Sequence, residues 1–204
     1  MIHPCNPDIL ALFARGLKVV HDTHVYKFKD FSECVFDTQI QSKNWLVDTL
    51  YDHRDRLGDI KRVSVLASWY GVAFVPIMLR KFPDVIIDLY DVDWYTADIA
   101  EYIFKDHNNV NVYCKDVIFD NVEFEGDLII NCSCEHMYDM SEIVNQYRGR
   151  SFAFQSNDNR NVKWLHINCV DSAEELIKQT DIKEVIFDGK IQVHRNNRIM
   201  VVGK

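Results

Sequence analysis

The densest run of chemically capable side chains is Asn131-Cys132-Ser133-Cys134-Glu135-His136-Met137, where an amide, two thiols, a hydroxyl, a carboxylate and an imidazole stand side by side. Imidazole titrates near working pH and a neighbouring carboxylate can steer it. Glu135 or His136 can therefore act as a general base or orient an acceptor, with Asn131 beside them. A plainer reading also stands, in which Ser133 caps a polar helix start and His136 faces solvent. Cys132, Cys134 and His136 fall within five residues and suggest zinc. The spacing is not the usual Cys-x-x-Cys and no partner pair is evident elsewhere, so no metal is expected. Ser133 and Cys134 also stand outside a G-x-S-x-G elbow, which argues against a nucleophile.

A second group of residues points to a nucleoside. In Asp91-Val92-Asp93, Asp91 falls 20 residues beyond Gly71, the spacing of a ribose-binding acid after the first turn of a nucleotide-binding sheet. A carboxylate there accepts from both ribose hydroxyls, and such charge-assisted bonds are strong and directional. Asp93 has two readings, the same site or the N-cap of a helix that begins at Trp94. Asp116, in Lys115-Asp116-Val117, is either an acceptor for the exocyclic amine of adenine or a turn aspartate. The first turn itself is Ala67-Ser68-Trp69-Tyr70-Gly71, where a dinucleotide enzyme would carry G-x-G-x-x-G. Trp69 and Tyr70 obstruct the close backbone approach that a pyrophosphate needs, so NAD and FAD are disfavoured. S-adenosylmethionine has no pyrophosphate, and its loop needs only a tight turn with one flexible point, which Gly71 supplies.

These residues need a frame that carries them to one edge. The pattern predicts a helix over residues 7–15 and an irregular or short-strand stretch over 25–36. A further helix opens near Ser42, with Ser42 as N-cap and Trp45, Leu46, Thr49 and Leu50 on one face. From Arg62 onward, strands and helices alternate. Strands are predicted at 63–67, 85–90, 110–114, 128–132 and 151–155, with helices at 72–82, 94–105 and 141–147 between them. The strands are mostly apolar rather than alternating, which fits a sheet covered on both faces. A doubly wound, largely parallel sheet follows, with ligands expected beyond the carboxyl ends of its strands. In the tail, Asp171-Ser172 caps a helix through 178. Strands at 184–187, 190–193 and 198–202 are then joined by Asp188-Gly189 and Asn196-Asn197, so the sheet should end antiparallel.

A chain of 204 residues with 48% hydrophobic content can bury one sizeable core, and one domain over 1–204 is expected. No apolar run is long enough to cross a bilayer, and the N-terminus lacks the layout of a secretory signal, so a cytoplasmic protein is expected. The six cysteines are scattered and read as reduced thiols. A net charge of -8 argues against a large electrostatic footprint on duplex DNA or RNA.

Taken together, the motifs resemble class I S-adenosylmethionine-dependent methyltransferases. More narrowly, Ser68-Trp69-Tyr70-Gly71, Asp91-Val92-Asp93, the run from Asn131 to Met137 and the closing Arg198-Ile199-Met200-Val201-Val202-Gly203 look like a small, often phage-encoded branch. The resemblance covers about residues 39–203. It implies a Rossmann-like sheet of about seven strands, with residues 61–204 as core and 1–60 as a helical extension or lid. It also implies S-adenosylmethionine as cofactor, a location in the cytoplasm (the host's, if phage-encoded), and an assignment of parts. Loop 67–71 faces the methionine part, Asp91 the ribose, Asp116 the adenine, and Asn131 to His136 the acceptor side, with Asp93, Asn131 and Cys132 also counted among the cofactor-binding residues. Lys43 and Ser133 would meet the acceptor. Gln41-Ser42-Lys43 resembles the pre-sheet helix that roofs the cofactor in this branch. The sequence departs from the usual D-x-G-x-G-x-G loop at Ser68 and Trp69, and the Asn-Pro-Pro-Tyr signature of amino-group DNA methyltransferases is missing.

The leading expectation is methyl transfer to a small-molecule or protein acceptor. Transfer of the aminocarboxypropyl arm from the same cation is a second. The third is a retired enzyme serving as a binding module, with Trp45, Trp69, Tyr70, Trp94 and Tyr95 as apolar contact surface.

Overall fold

The computed structural model describes residues 6–161 and 166–204. The N-terminal segment read above for a secretory layout, Cys5 included, lies outside the described residues save for Asn6. Helix α1 (Pro7–Thr23) begins where Asn6 Oδ1 accepts the Asp8 N–H and proline occupies the first turn, where its missing N–H costs nothing. The predicted 7–15 helix thus runs two turns further. Its buried stripe includes Gly16, where an added Cβ would lie 2.2 Å from the ring of Phe31.

The stretch 25–33 is helical, correcting the strand-like expectation, and 34–36 is an irregular turn. A 3₁₀ turn (Val25–Lys27) leads into α2 (Phe28–Glu33). Val25, Tyr26 and Phe28 are exposed, while Phe31 and Cys34 turn inward, Phe31 stacking on Phe13 and meeting Tyr70 edge-on. Burial of these two anchors decides the conformation over local propensity.

Helix α3 (Asp37–Asp52) starts a turn earlier than Ser42, which is therefore not an N-cap. Ser42 is fully buried; its Oγ donates to Gln155 Oε1 at 2.8 Å while its carbonyl accepts from Gln155 Nε2 at 3.2 Å. The pair fastens the pre-sheet helix to the sheet. After the short α4 (Arg54–Leu57) the alternation begins: β1 (Arg62–Leu66), α5 (Phe74–Lys81), β2 (Ile86–Asp91), α6 (Trp94–Phe104), β3 (Val110–Cys114) and β4 (Leu128–Asn131). A 3₁₀ turn (Cys134–His136) and α7 (Ser141–Gln146) precede β5 (Ser151–Asn157). Then come α8 (Ala173–Thr180), capped by Ser172, β6 (Val185–Val193) and β7 (Asn196–Gly203).

All seven strands form one sheet in the order β3-β2-β1-β4-β5-β7-β6. The first five are parallel, and β7 runs antiparallel to both β5 and β6. The chain winds outward from β1 to β3, then returns on the other side of β1 to β4, so the order reverses between β1 and β4. One face of the sheet buries Val63, Val65, Ile87, Leu89 and Ile130 under helices α1, α3, α5 and α6. The other buries Ile129, Phe152, Phe154 and Val201 against α7, α8 and the loop around Phe124. Even β7 alternates, Met200 and Val202 facing one layer and Ile199 and Val201 the other.

The tail holds two strands where three were expected. Asp188-Gly189 is not a turn; it pairs with Val201 and Met200 within β6. Gly189 is needed there because an added Cβ would lie 2.8 Å from the Phe187 ring. The hairpin turns at His194-Arg195, with His194 at φ 59°, and Asn196-Asn197 opens the returning strand. Among the described residues, no helix is long and apolar enough to cross a membrane.

Candidate functional site

The carboxyl ends of β1, β2 and β4 open onto a cavity of about 470 Å³ at the reversal point. Its floor is loop 67–71, where Ala67, Trp69 and Gly71 all take positive φ, at 47°, 53° and 66°. A non-glycine residue in this conformation costs about 1–2 kcal/mol, so the surroundings must hold the loop in place. They do so from three sides. Ser68 N–H donates to Tyr90 O at 2.9 Å, Trp69 N–H donates to Asp91 Oδ2 at 2.8 Å, and Tyr70 OH donates to Asp30 Oδ2 at 2.6 Å. The glycine-rich loop is thus replaced by a clamped one. Gly71 remains obligatory, since an added Cβ would lie 2.8 Å from Leu89 Cδ1.

Asp91 ends β2 and touches both this cavity and an adjoining cleft of about 310 Å³. Its second oxygen accepts from Asp93 N–H at 3.0 Å. Burial pushes its pKa up, and the N–H groups of Asp93 and Trp69 oppose that shift. Each carboxylate oxygen keeps a lone pair for a further donor. Asp116 lines the adjoining cleft with Lys115, Phe119, Met137 and Tyr138. There its Oδ1 also accepts the N–H groups of Ile118 and Phe119, so it serves the turn as well.

Glu135 is the most constrained acid of the site, 2% exposed. Its Oε1 accepts from Asn157 Nδ2 and, at 3.0 Å, from Arg198 Nη1. Its buried Oε2 has no hydrogen-bond partner among the described residues. A carboxylate oxygen left unengaged beside a cavity costs free energy, and such groups call for an explanation. His136 Nε2 stands 4.0 Å from Glu135 Oε1. Lys43 reaches in from α3 and donates to Gln39 Oε1 at 3.0 Å; burial pushes its ammonium pKa down.

Of the residues singled out from sequence, Lys43, Ala67, Ser68, Trp69, Gly71, Asp91, Cys132, Ser133, Glu135 and His136 line the one cavity. Three do not. Tyr70 is fully buried, tied to Asp30. Asp93 caps α6, accepting from Tyr95 and Thr96 N–H, and pairs with Lys27. Asn131 is fully buried; its amide donates to the sulfurs of Met137 and Met140 while its oxygen accepts Ser133 N–H at 2.8 Å. It shapes the turn that carries Glu135 rather than facing the cavity. Cys132 and Cys134 are buried with their thiol pKa pushed up by burial, so both stay protonated.

Sequence reasoning missed Asp30, Asn157, His166 and Arg198. Arg198 and Asn157 meet Glu135 only because β7 pairs with β5 in a register that sets them opposite each other. The acids Asp30, Glu33, Asp91 and Glu135 outnumber the cations Lys43 and Arg198 around the cavity, a field that favours a cationic ligand.

No protein-family model matches this sequence. No curated protein matches it either. Solved structures do. The N-methyltransferase NodS from Bradyrhizobium japonicum WM9, in complex with S-adenosyl-L-homocysteine, superposes with a TM-score of 0.61 at 13% identity, covering 97% of this chain and 99% of NodS. Magnesium protoporphyrin IX methyltransferase from Synechocystis PCC 6803, also with bound S-adenosylhomocysteine, gives 0.58 at 10%, covering 82% and 84%. A putative sarcosine dimethylglycine methyltransferase from Galdieria sulphuraria gives 0.59 at 14%, covering 74% of this chain and 64% of that protein, less than two thirds of its length. The chain has the Rossmann-like fold of S-adenosylmethionine-dependent methyltransferases.

Proposed function

We propose that this protein transfers a methyl group from S-adenosylmethionine to a small-molecule or protein acceptor. The observation that carries the reading is Asp91, a half-buried carboxylate at the end of β2 that borders both the main cavity and its adjoining cleft. The cofactor, when bound, supplies a methyl group made electrophilic by a sulfonium. Asp91 accepts from the ribose hydroxyls, and Asp116 meets the adenine amine in the cleft beside Phe119. Loop 67–71 cradles the methionine part. The acid excess of the cavity suits the cation.

Glu135 and His136 stand on the acceptor side, and the unengaged Glu135 Oε2 takes or directs the proton that the acceptor must lose. Asn157 and Arg198 hold that carboxylate in one orientation. Lys43 and Ser133 position the acceptor, and the helices before residue 61 act as a lid over the core. Alignment of acceptor and methyl group then supplies most of the rate. The narrower resemblance to a phage-encoded branch, and with it a place in the host cytoplasm, rests on the sequence motifs alone.

Calorimetric titration of S-adenosylmethionine and S-adenosylhomocysteine tests the reading. Wild type should bind both, and Asp91→Ala should weaken binding by about 100-fold, since hydrogen bonds to a charged group are worth about 1.5–3 kcal/mol each. Absence of binding to folded wild type would sink the enzyme and favour a binding module. S-adenosylhomocysteine as product marks methyl transfer, whereas methylthioadenosine marks transfer of the aminocarboxypropyl arm.

A further inference from the structure

His166 has no role in the reading above, yet it faces the same wall of the cavity as Glu135 and His136. One ligand atom from each of these three residues lies within 4.8 Å of the other two. The rings of His136 and His166 meet edge to face at 4.5 Å. His166 Nδ1 lies 2.6 Å from the carbonyl oxygen of Asn159, and a carbonyl only accepts, so Nδ1 carries the proton. Its Nε2 therefore presents a lone pair. A histidine held through one nitrogen by a backbone carbonyl, with the other left as a base, has the arrangement of a metal ligand. The segment is fixed beside Glu135 by more than this bond: Asn168 N–H donates to Glu135 O at 3.1 Å and Ser156 Oγ donates to Asn168 O at 3.3 Å.

The buried Glu135 Oε2, without a partner, is the independent sign. Arg198 and Asn157 both engage Oε1, which leaves Oε2 to supply one oxygen. We infer that Glu135 Oε2, His136 and His166 form a site for a divalent transition cation of the zinc or cobalt kind. Two imidazoles and one carboxylate are a ligand set that such ions accept with a position left open. Bonds of about 2.1 Å in tetrahedral geometry put ligand atoms about 3.4 Å apart. The cluster must therefore close by up to about 1.4 Å, within reach of the His136 side chain, which is 42% exposed. The inference rests on the proposed function only in what the open position faces, the acceptor: with Oε2 taken up as a ligand, the cation would replace it in easing loss of the acceptor's proton, by binding the acceptor's oxygen.

The test is titration of chelator-washed protein with Co²⁺, followed by its visible absorption, and with Zn²⁺ by calorimetry, using wild type, His136→Ala and His166→Ala. The expected result is one cation per chain in wild type and at least about tenfold weaker binding in each variant, since even outer-shell partners of a ligand are worth that much. Wild type that takes up neither cation, or variants that bind as tightly as wild type, would overturn the site. S-adenosylhomocysteine affinity, read on the same samples without metal, separates the two ideas. Adenosyl binding without cation uptake ends this inference and leaves the proposed function standing, while cation uptake without adenosyl binding supports the site and ends the other.

Discussion

Two buried carboxylates, Asp88 and Glu135, sit at opposite edges of the same sheet and are treated in opposite ways. Asp88 is 0% exposed in β2, and both its oxygens are engaged. Arg62 Nε donates at 2.6 Å and Nη2 at 3.1 Å, and Asn111 Nδ2 donates at 2.8 Å. Glu125 adds a second acid to Arg62, and Asp127 accepts the N–H groups of Lys61 and Arg62 at the foot of β1. Nothing there is left over for a ligand. Glu135 is nearly as buried but keeps one oxygen unpaired, beside a loop with two non-glycine residues at positive φ. A polar network complete within itself holds strands in register. One that is short of a partner, next to strained backbone, is prepared for something that arrives later.

Glu135→Gln should give the largest effect. It keeps the shape of the side chain and removes the base, so transfer should fall about 100- to 10,000-fold, while adenosyl affinity changes little. Single-turnover assays beside equilibrium titration check this, and a large loss of adenosyl binding would merge the two regions into one structural role. Asp88→Ala should do the reverse. Removing one partner of a buried ion pair costs about 3 kcal/mol, or roughly 6–12 °C in Tm for a chain of this size. The protein that stays folded should bind S-adenosylhomocysteine as before. Thermal melts with and without that ligand would show whether the lower edge is purely structural.

Asp93 is expected to behave like Asp88 despite lying near the site. Burial raises its pKa, but Lys27 and the N–H groups of Thr96 and Tyr95 outweigh that and hold it below the usual range. A depressed carboxyl contributes stability above the unfolded value of about 3.9, and the contribution is lost as pH falls through the folded one. Asp93→Ala should cost about 1 kcal/mol through the lost cap. Asp93→Asn should keep the cap and lose only the Lys27 pair, so its deficit in urea unfolding at pH 7 should shrink as pH falls below about 3.9 through the lowered folded value.

Lys43 offers the smallest and most diagnostic change. Burial lowers its pKa, so the charged form is disfavoured in the fold. That penalty is full below the lowered folded pKa and fades as pH rises from there toward the ordinary value of about 10.4. Lys43→Met should therefore raise Tm at pH 7 by a few degrees and by less at pH 10. An equal gain at both values, by scanning calorimetry, would mean that Lys43 belongs with the structural lysines and not with the cavity.

How far the molecule was legible depended on how local each signal was. Strand β3 has the bounds read from its five residues, and the Ser172 cap of α8 followed from one side chain and the helix after it. Asp188-Gly189 misled because a turn dipeptide has meaning only if the chain has reason to reverse, and β7 extends past it. Ser42 misled because a serine suited to capping also serves when a buried glutamine lies opposite. Within the site, Asp91 and Glu135 were visible as acids at strand ends. That Asn131 beside them points away, into the sulfurs of Met137 and Met140, depends on packing that no spacing expresses.

The sequence by itself determined the alternation of strands and helices, and with it the edge where chemistry is done, because apolar runs and caps act over a few residues and a parallel sheet puts its ligand site at the strand ends. Tertiary structure decided which polar groups at that edge are engaged and which are left open. Arg198 on the antiparallel strand and His166 after β5 join Glu135 across long stretches of chain. Only strand register and loop docking, set by burial of the whole core, bring them there.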